Sequence, residues 1–132
     1  MGEAIRVLIA DDHYVIRAFL SRILESQDDF RIVGQTSDGV TTVEMTKALR
    51  PDVVLMDYDM PGKNGVTATQ EILMTDPDIL VIGFSMHDES IVEKAMLEAG
   101  AAVHLSKRTS AAELLPTIRR LSSQDNFESA NS

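Results

Sequence analysis

Five short apolar runs punctuate the chain: Ile5 to Ala10, Phe30 to Gly34, Val53 to Met56, Ile79 to Phe84, and Ala102 to Leu105. Each has the length of a strand and is rich in Val, Ile or Leu. The first, third and fourth show almost no polar alternation, the pattern of strands buried on both faces of a parallel sheet. The segments between them carry helical spacing of unequal strength. Val15, Ile16, Phe19, Leu20, Ile23 and Leu24 form a stripe after the first run. Ile91, Val92, Ala95 and Met96 do so after the fourth, with Gly100 as a C-terminal stop. Leu114, Leu115, Ile118 and Leu121 come after the fifth, with Ser110 and Glu113 at capping-box spacing. Pro116 lies inside that last helix and is expected to kink it or loosen its first turns.

The segments 39–49 and 65–75 are weaker in periodicity, but their positions demand crossovers. Asp38-Gly39 and Asn64-Gly65 mark turns at their entrances. Strand and helix therefore alternate five times, which implies an α/β fold with a parallel sheet and right-handed crossovers. Residues 1–121 form one domain on this reading. Residues 122–132 are rich in Ser, Asn, Gln and acidic residues around an isolated Phe127, and are expected to be a linker or a disordered tail.

Composition narrows the function classes. The 132 residues contain no cysteine, which removes disulfides and thiolate metal sites. No stretch approaches the roughly 18 apolar residues of a membrane span. The start, Met1-Gly2-Glu3-Ala4, lacks the basic and long apolar regions of a signal peptide, so a cytoplasmic location is expected. The formal net charge of −9 makes the domain itself a poor ligand for nucleic acid, whose affinity rests on cationic side chains. Solubility alone accounts for much of that acidity, but the order of a few carboxylates points elsewhere.

Four of the apolar runs give way to polar, reactive residues. The first ends in Asp11-Asp12, the third in Asp57 and the fourth in Ser85; Ser106-Lys107 come directly after the fifth. Ligands of open α/β sheets bind beyond the carboxyl ends of the strands, where strand order reverses. Three carboxylates, a hydroxyl and an ammonium are thus expected on one rim. Clustered carboxylates require a cation or shifted pKa values. Oxygen donors favour a hard divalent ion such as Mg²⁺. Lys107 suggests that an anion also visits, and a phosphoryl group fits the set. Each residue also has a simpler role: helix capping by Asp11 or Asp12, a loop position for Asp57, a strand terminus for Ser85, an exposed lysine at 107. Their joint occurrence at four strand ends is what those roles leave unexplained.

These residues carry a family resemblance. Ile9-Ala10-Asp11-Asp12-His13, residues 54–65 around Asp57, residues 83–88 around Ser85, and residues 100–107 ending in Ser106-Lys107 together resemble a two-component response-regulator receiver domain over residues 5 to about 121. The resemblance implies a flavodoxin-like (βα)5 three-layer sandwich with strand order 2-1-3-4-5. It implies that Asp57 accepts a phosphoryl group from a sensor histidine kinase. Asp12, Asp57 and the Asp59 backbone carbonyl would ligate Mg²⁺, with Asp11 acting mainly through water. Ser85 and Lys107 would hold phosphoryl oxygens, and Ser85 and His104 would form a switch acting on the helix-4, strand-5, helix-5 face. Asp12-His13, Met86-His87-Asp88 and Lys107-Arg108 resemble the NarL/FixJ subfamily. Its members usually continue into a helix-turn-helix domain that binds DNA and controls transcription. Residues 1–132 are expected to be the receiver portion of such a regulator, with a stand-alone receiver as the alternative, and homodimerisation on activation is expected.

Several positions depart from the family pattern. His104 stands where Tyr or Phe is usual, and imidazole charges near neutral pH. Val103 stands where Gly is frequent, and Ser85 replaces the commoner Thr. Asp59 adds a carboxylate beside the phosphoryl site and is expected to alter the lifetime of the acyl phosphate through the attacking water. An unchanged dephosphorylation rate in Asp59→Asn would remove that expectation. Two other readings compete. Asp57-Tyr58-Asp59 resembles the Asp-x-Asp of haloacid-dehalogenase-type phosphatases, with Asp57 as nucleophile and Asp59 as general acid. There, however, the motif opens the chain and an acidic pair comes later, whereas Asp11-Asp12 comes first here. A pseudo-receiver would have lost one of the acidic residues or the lysine, and this chain keeps them all.

Overall fold

The computed structural model describes residues 3–86 and 90–131, with side chains through residue 123. His87, Asp88 and the side chain of Phe127 therefore lie outside the described residues. The strands are β1 (Ile5–Ala10), β2 (Phe30–Thr36), β3 (Val53–Asp57), β4 (Leu80–Ser85) and β5 (Val103–Ser106). The helices are α1 (Tyr14–Glu25), α2 (Gly39–Leu49), α3 (Gly65–Thr75), α4 (Ser90–Ala99) and α5 (Ala111–Asn131). All strand pairs are parallel and the order is β2-β1-β3-β4-β5.

Alternate residues of the central strands feed two separate cores. Leu8, Ala10, Val54 and Met56 pack with Val43 of α2, Ala68 and Ile72 of α3, and Met96 of α4. Val7, Ile9, Leu55 and Ile82 pack with Leu20 and Leu24 of α1 and with Leu114 and Ile118 of α5. The result is the expected three-layer sandwich. It explains why β1, β3 and β4 read as continuous apolar runs: both of their faces are covered. Fully burying each such side chain contributes roughly 1.5–3 kcal/mol, so the strand ends that carry the polar residues are anchored in the most stable part of the molecule.

The weakly periodic segments are helices with sound starts. Asp38 accepts a hydrogen bond from the Thr41 amide at 2.8 Å, and Asn64 from the Thr67 amide at 2.9 Å. Both are N-caps, whose side-chain oxygens satisfy otherwise unpaired amides. The stripes on α1 and α4 are wider than the faces they bury. Leu20, Leu24, Val92 and Met96 are buried, whereas Val15 and Ile91 are each 74% exposed.

The segment 122–131 continues α5 to Asn131, so a linker drawn from it is helical. Its polar composition deprives it of a core-facing stripe, but no Gly or Pro follows Pro116 in it. Extending a nucleated helix is far easier than starting one. Pro116 leaves the helix continuous; the bond it removes is a single one, from its own missing N–H.

Candidate functional site

The site lies where strand order reverses. β1 and β3 are neighbours, with Ala10 opposite Met56, so Asp11 and Asp57 leave the sheet side by side. β4 flanks β3 on the other side and ends in Ser85; the Lys107 amide donates to the Ser85 carbonyl at 2.9 Å. Asp11, Asp57 and Ser85 are each only 2% exposed.

Lys107 crosses the rim. Its Nζ lies 2.9 Å from Asp11 Oδ2 and 3.1 Å from Asp57 Oδ2, and its side chain is buried. The contact with Asp57 is one of charge: Asp57 Oδ2 has no partner in hydrogen-bond geometry. The other oxygen, Oδ1, accepts from the Asp59 amide at 3.2 Å. The turn after β3 is held down by the Gly65 amide donating to Tyr58 O at 2.8 Å. A Cβ at Gly65 would collide with the backbone carbonyl of Asp57, so glycine is required for α3 to begin this close to the strand end.

Burial pushes the Asp57 carboxyl up to about 7; the field of Asp11 adds to this and Lys107 opposes it. One ammonium is therefore too little charge for the carboxylates gathered here. A divalent cation would supply the rest. Oxygens of Asp11, Asp12 and Asp57, together with His13 Nδ1, lie within 4.8 Å of one another. With the bare Asp57 Oδ2 turned into the group, this donor set fits a hard divalent ion.

Asp11, Asp12, Asp57 and Lys107 thus come together as expected, and Ser85 is buried at the adjacent strand end. Asp59 stands exposed beside them, its amide on Asp57. Neither Asp11 nor Asp12 is the N-cap of α1; that position is His13. His13 is the member that sequence reasoning missed as a site residue. Its ring nitrogen Nδ1 lies 3.0 Å from Asp11 Oδ1, 3.1 Å from Asp12 Oδ1 and 3.0 Å from Lys107 Nζ. Its place directly after the acidic pair was the available signal.

His104 lies apart from this cluster. It faces Gly83 across the β4–β5 pair. A Cβ at Gly83 would run into the His104 ring at Nδ1 and lie near Met96 Cε of α4. Both ring nitrogens are buried without a hydrogen-bond partner. Burial holds the imidazole pKa below its usual value, and the carboxylate of Glu93 on α4 opposes this.

Known proteins are similar to this chain in sequence and fold. The family model for the response regulator receiver domain matches residues 7–119. The response regulator GacA of Pseudomonas viridiflava is 39% identical over 115 residues, covering 87% of this chain and 54% of its own length. The transcriptional regulatory protein LiaR of Bacillus subtilis is 40% identical over 120 residues, covering 89% and 56%. The chain spans about half the length of the curated relatives it matches. The receiver domain of the putative response regulator NarL from Mycobacterium tuberculosis superimposes with a TM-score of 0.88 at 31% identity, covering 92% of this chain and 98% of that one. Fold, rim chemistry and relatives agree: the chain belongs to the response regulator receiver family, and is a signalling domain of the kind found in regulators such as GacA and LiaR.

Proposed function

We propose that Asp57 is the phosphoacceptor of a cytoplasmic, Mg²⁺-dependent receiver, charged by a sensor histidine kinase. The observation that carries this reading is Asp57 Oδ2: buried, without a hydrogen bond, and directed into a cluster of carboxylates beside Lys107. A carboxylate oxygen held only by a charge contact with Lys107 is available as a nucleophile. It forms a bond to phosphorus as the P–N bond of the kinase phosphohistidine breaks. The electron pair leaves on the imidazole, which takes a proton from solvent. Asp11, Asp12, Asp57 and the Asp59 carbonyl would hold Mg²⁺, which when bound neutralises the carboxylates and the phosphoryl oxygens. Lys107 is already within 3.1 Å of Asp57 Oδ2 and would pair with the phosphoryl group, with Ser85 as a further donor.

The partner readings have support on the surface. Tyr14 and Val15, next to the pocket at the start of α1, are each 74% exposed, an apolar footing for a kinase. Ile91 and Leu97 give α4 an exposed apolar edge near His104, suited to a homodimer or to a further domain of the same regulator. The relatives LiaR and GacA, about twice as long, support a DNA-binding portion beyond this domain, with α5 as a helical connector. In that scheme His104 and Ser85 link phosphorylation to the α4–β5–α5 face.

Incubation with Mg²⁺ and acetyl phosphate, read by intact mass, tests the reading. One added phosphate is expected, and none with Asp57→Ala or with EDTA. Repeated release of phosphate from a phosphomonoester would instead favour the phosphatase chemistry of Asp57 and Asp59. No label from acetyl phosphate or from a phosphohistidine donor would make the domain a pseudo-receiver.

A further inference from the structure

Residues 11–13 link β1 to α1 and belong to neither. Specific bonds around Asp11 hold this link. The Asp11 amide donates to the Thr36 carbonyl at the end of β2, at 3.0 Å. Asp11 Oδ1 accepts from the His13 amide at 2.8 Å. The Asp11 carbonyl accepts from Arg17 Nη1 at 2.7 Å. That last bond fixes the plane of the Asp11–Asp12 peptide, because the amide is planar and its oxygen is then held as well as the Asp11 Cα. The plane sets the direction in which Asp12 leaves the chain.

Arg17 is not where helix stability would place a cation. It is the fourth residue of α1, whose first turn contains no acidic residue. The amino end of a helix carries partial positive charge and disfavours a cation. Long helical side chains lean toward that end, and this one reaches past it to Asp11. The guanidinium also passes over the partner that matches it best. A carboxylate would accept two parallel bonds from it, and Asp11 and Asp12 both carry one. Its hydrogen bond among the described residues goes instead to a main-chain carbonyl. The Tyr14 ring, its centroid 5.8 Å from Arg17 Cζ, backs the guanidinium.

We propose that Arg17 is a positioning residue for phosphotransfer: by holding the Asp11–Asp12 peptide it aims the Asp12 carboxylate into the cluster with Asp11 and Asp57. The inference rests on the proposed phosphoacceptor role of Asp57 and adds to it a residue outside the acidic pocket. Arg17 touches none of the reacting atoms and acts through the backbone of the acidic pair. Asp11 keeps its bonds to Thr36 and His13 without it, and Lys107 keeps its contacts with Asp11 and Asp57. Asp12 is the group that its loss sets loose.

The test compares the wild type with Arg17→Met, Arg17→Lys and Arg119→Met, the last as a control for stability alone. In EDTA, the Asp11 carbonyl ¹³C resonance should move upfield in Arg17→Met, as a lost hydrogen bond requires, and the melting temperature should fall by no more than about 5 °C. Labelling by acetyl phosphate, which needs no kinase, is then followed against Mg²⁺ concentration by intact mass. Arg17→Met should raise the Mg²⁺ needed for half-maximal rate about tenfold, the loss expected for a group that orients a ligand from outside, with the maximal rate within about twofold of wild type. Arg17→Lys should recover part of the difference, and Arg119→Met should show none of it. An unmoved carbonyl resonance overturns the proposal. So does an unchanged Mg²⁺ dependence in Arg17→Met, which leaves the phosphoacceptor reading standing, or an equal change in Arg119→Met. Failure to label the wild type overturns the phosphoacceptor reading instead. In that case Mg²⁺ titration of the Asp12 amide resonance replaces labelling, and the same tenfold difference decides for or against Arg17.

Discussion

The two ends of the sheet use the same residue types for opposite purposes. At the amino end, charged groups pair in the open. The Arg6 guanidinium donates to the carbonyls of Arg50 (2.7 Å) and Leu49 (2.8 Å), closing the end of α2 where Arg50 adopts φ +49°. Arg119 of α5 donates to both oxygens of Asp29, at 2.7 and 2.9 Å, and to Gln27, and lies over the Phe30 ring. The Arg119 pairing holds the Asp29 carboxyl below its usual pKa. At the carboxyl end Asp11, Asp57 and the Lys107 side chain are buried, carboxylates outnumber the ammonium, and Asp57 is pushed the other way, up to about 7. One end is arranged for the resting stability of the fold. The other holds repulsion in reserve until a cation and an anion arrive.

The sharpest way to break this contrast is to remove the buried ammonium. Lys107→Met in EDTA should lose about 3 kcal/mol, the loss seen when a buried ion pair keeps one partner, and Mg²⁺ should restore part of it. Chemical denaturation with and without Mg²⁺ measures both. A loss no larger than for a surface lysine would mean that the cluster is not strained.

Removing the repulsion should do the reverse. Asp57→Asn is expected to stabilise the cation-free domain by about 1–2 kcal/mol. The sign with pH comes from linkage. Asp57 titrates near 3.8 unfolded and near 7 folded, so its burial works against folding increasingly as pH rises through that window. The gain should therefore be small near the lower value and full above the upper one, and it should shrink when Mg²⁺ is added. In the pair Lys107→Met/Asp57→Asn, the loss should be smaller than for Lys107→Met alone, because the two groups share one interaction.

His104 sharpens the comparison from the half-buried strand β5, where only its ring nitrogens are sealed from solvent. Its pKa is depressed in the fold, so the stability it allows is full above the unfolded value of 6.5 and falls as pH drops below that. His104→Phe should stabilise by about 1 kcal/mol by removing two buried nitrogens without partners. The benefit should be larger near about pH 5.5 than near about pH 8. Equal benefit at both values would show that the ring is not held neutral by burial.

The smallest effect belongs to the amino end. Arg119→Met should cost less than about 1 kcal/mol, and that loss should diminish with added salt, as expected for an exposed pair. Thermal melts at two ionic strengths would read it.

Much of this could be read along the chain because strand burial and strand ends are local signals. Continuous apolar runs at residues 5–10, 53–56 and 79–84 announced doubly covered strands, and the polar residue after each named the rim. Weak periodicity in α2 and α3 was offset by Asp38-Gly39 and Asn64-Gly65, whose capping chemistry is equally local. The helical state of residues 122–131 was not legible, because composition speaks for packing and not for whether a helix already begun continues.

By itself, then, the order of residues determined which side chains stand at the carboxyl ends of the strands, because a parallel sheet carries every such end to the same side. Tertiary structure alone decided their mutual distances and their protonation. Lys107 and His13 are 94 residues apart and meet at 3.0 Å only because β5 and α1 flank the same rim. The displaced pKa of Asp57 arises from burial that no local pattern encodes. Chemistry of type is written along the chain; chemistry of degree depends on how closely the fold brings charges together, and how far from water.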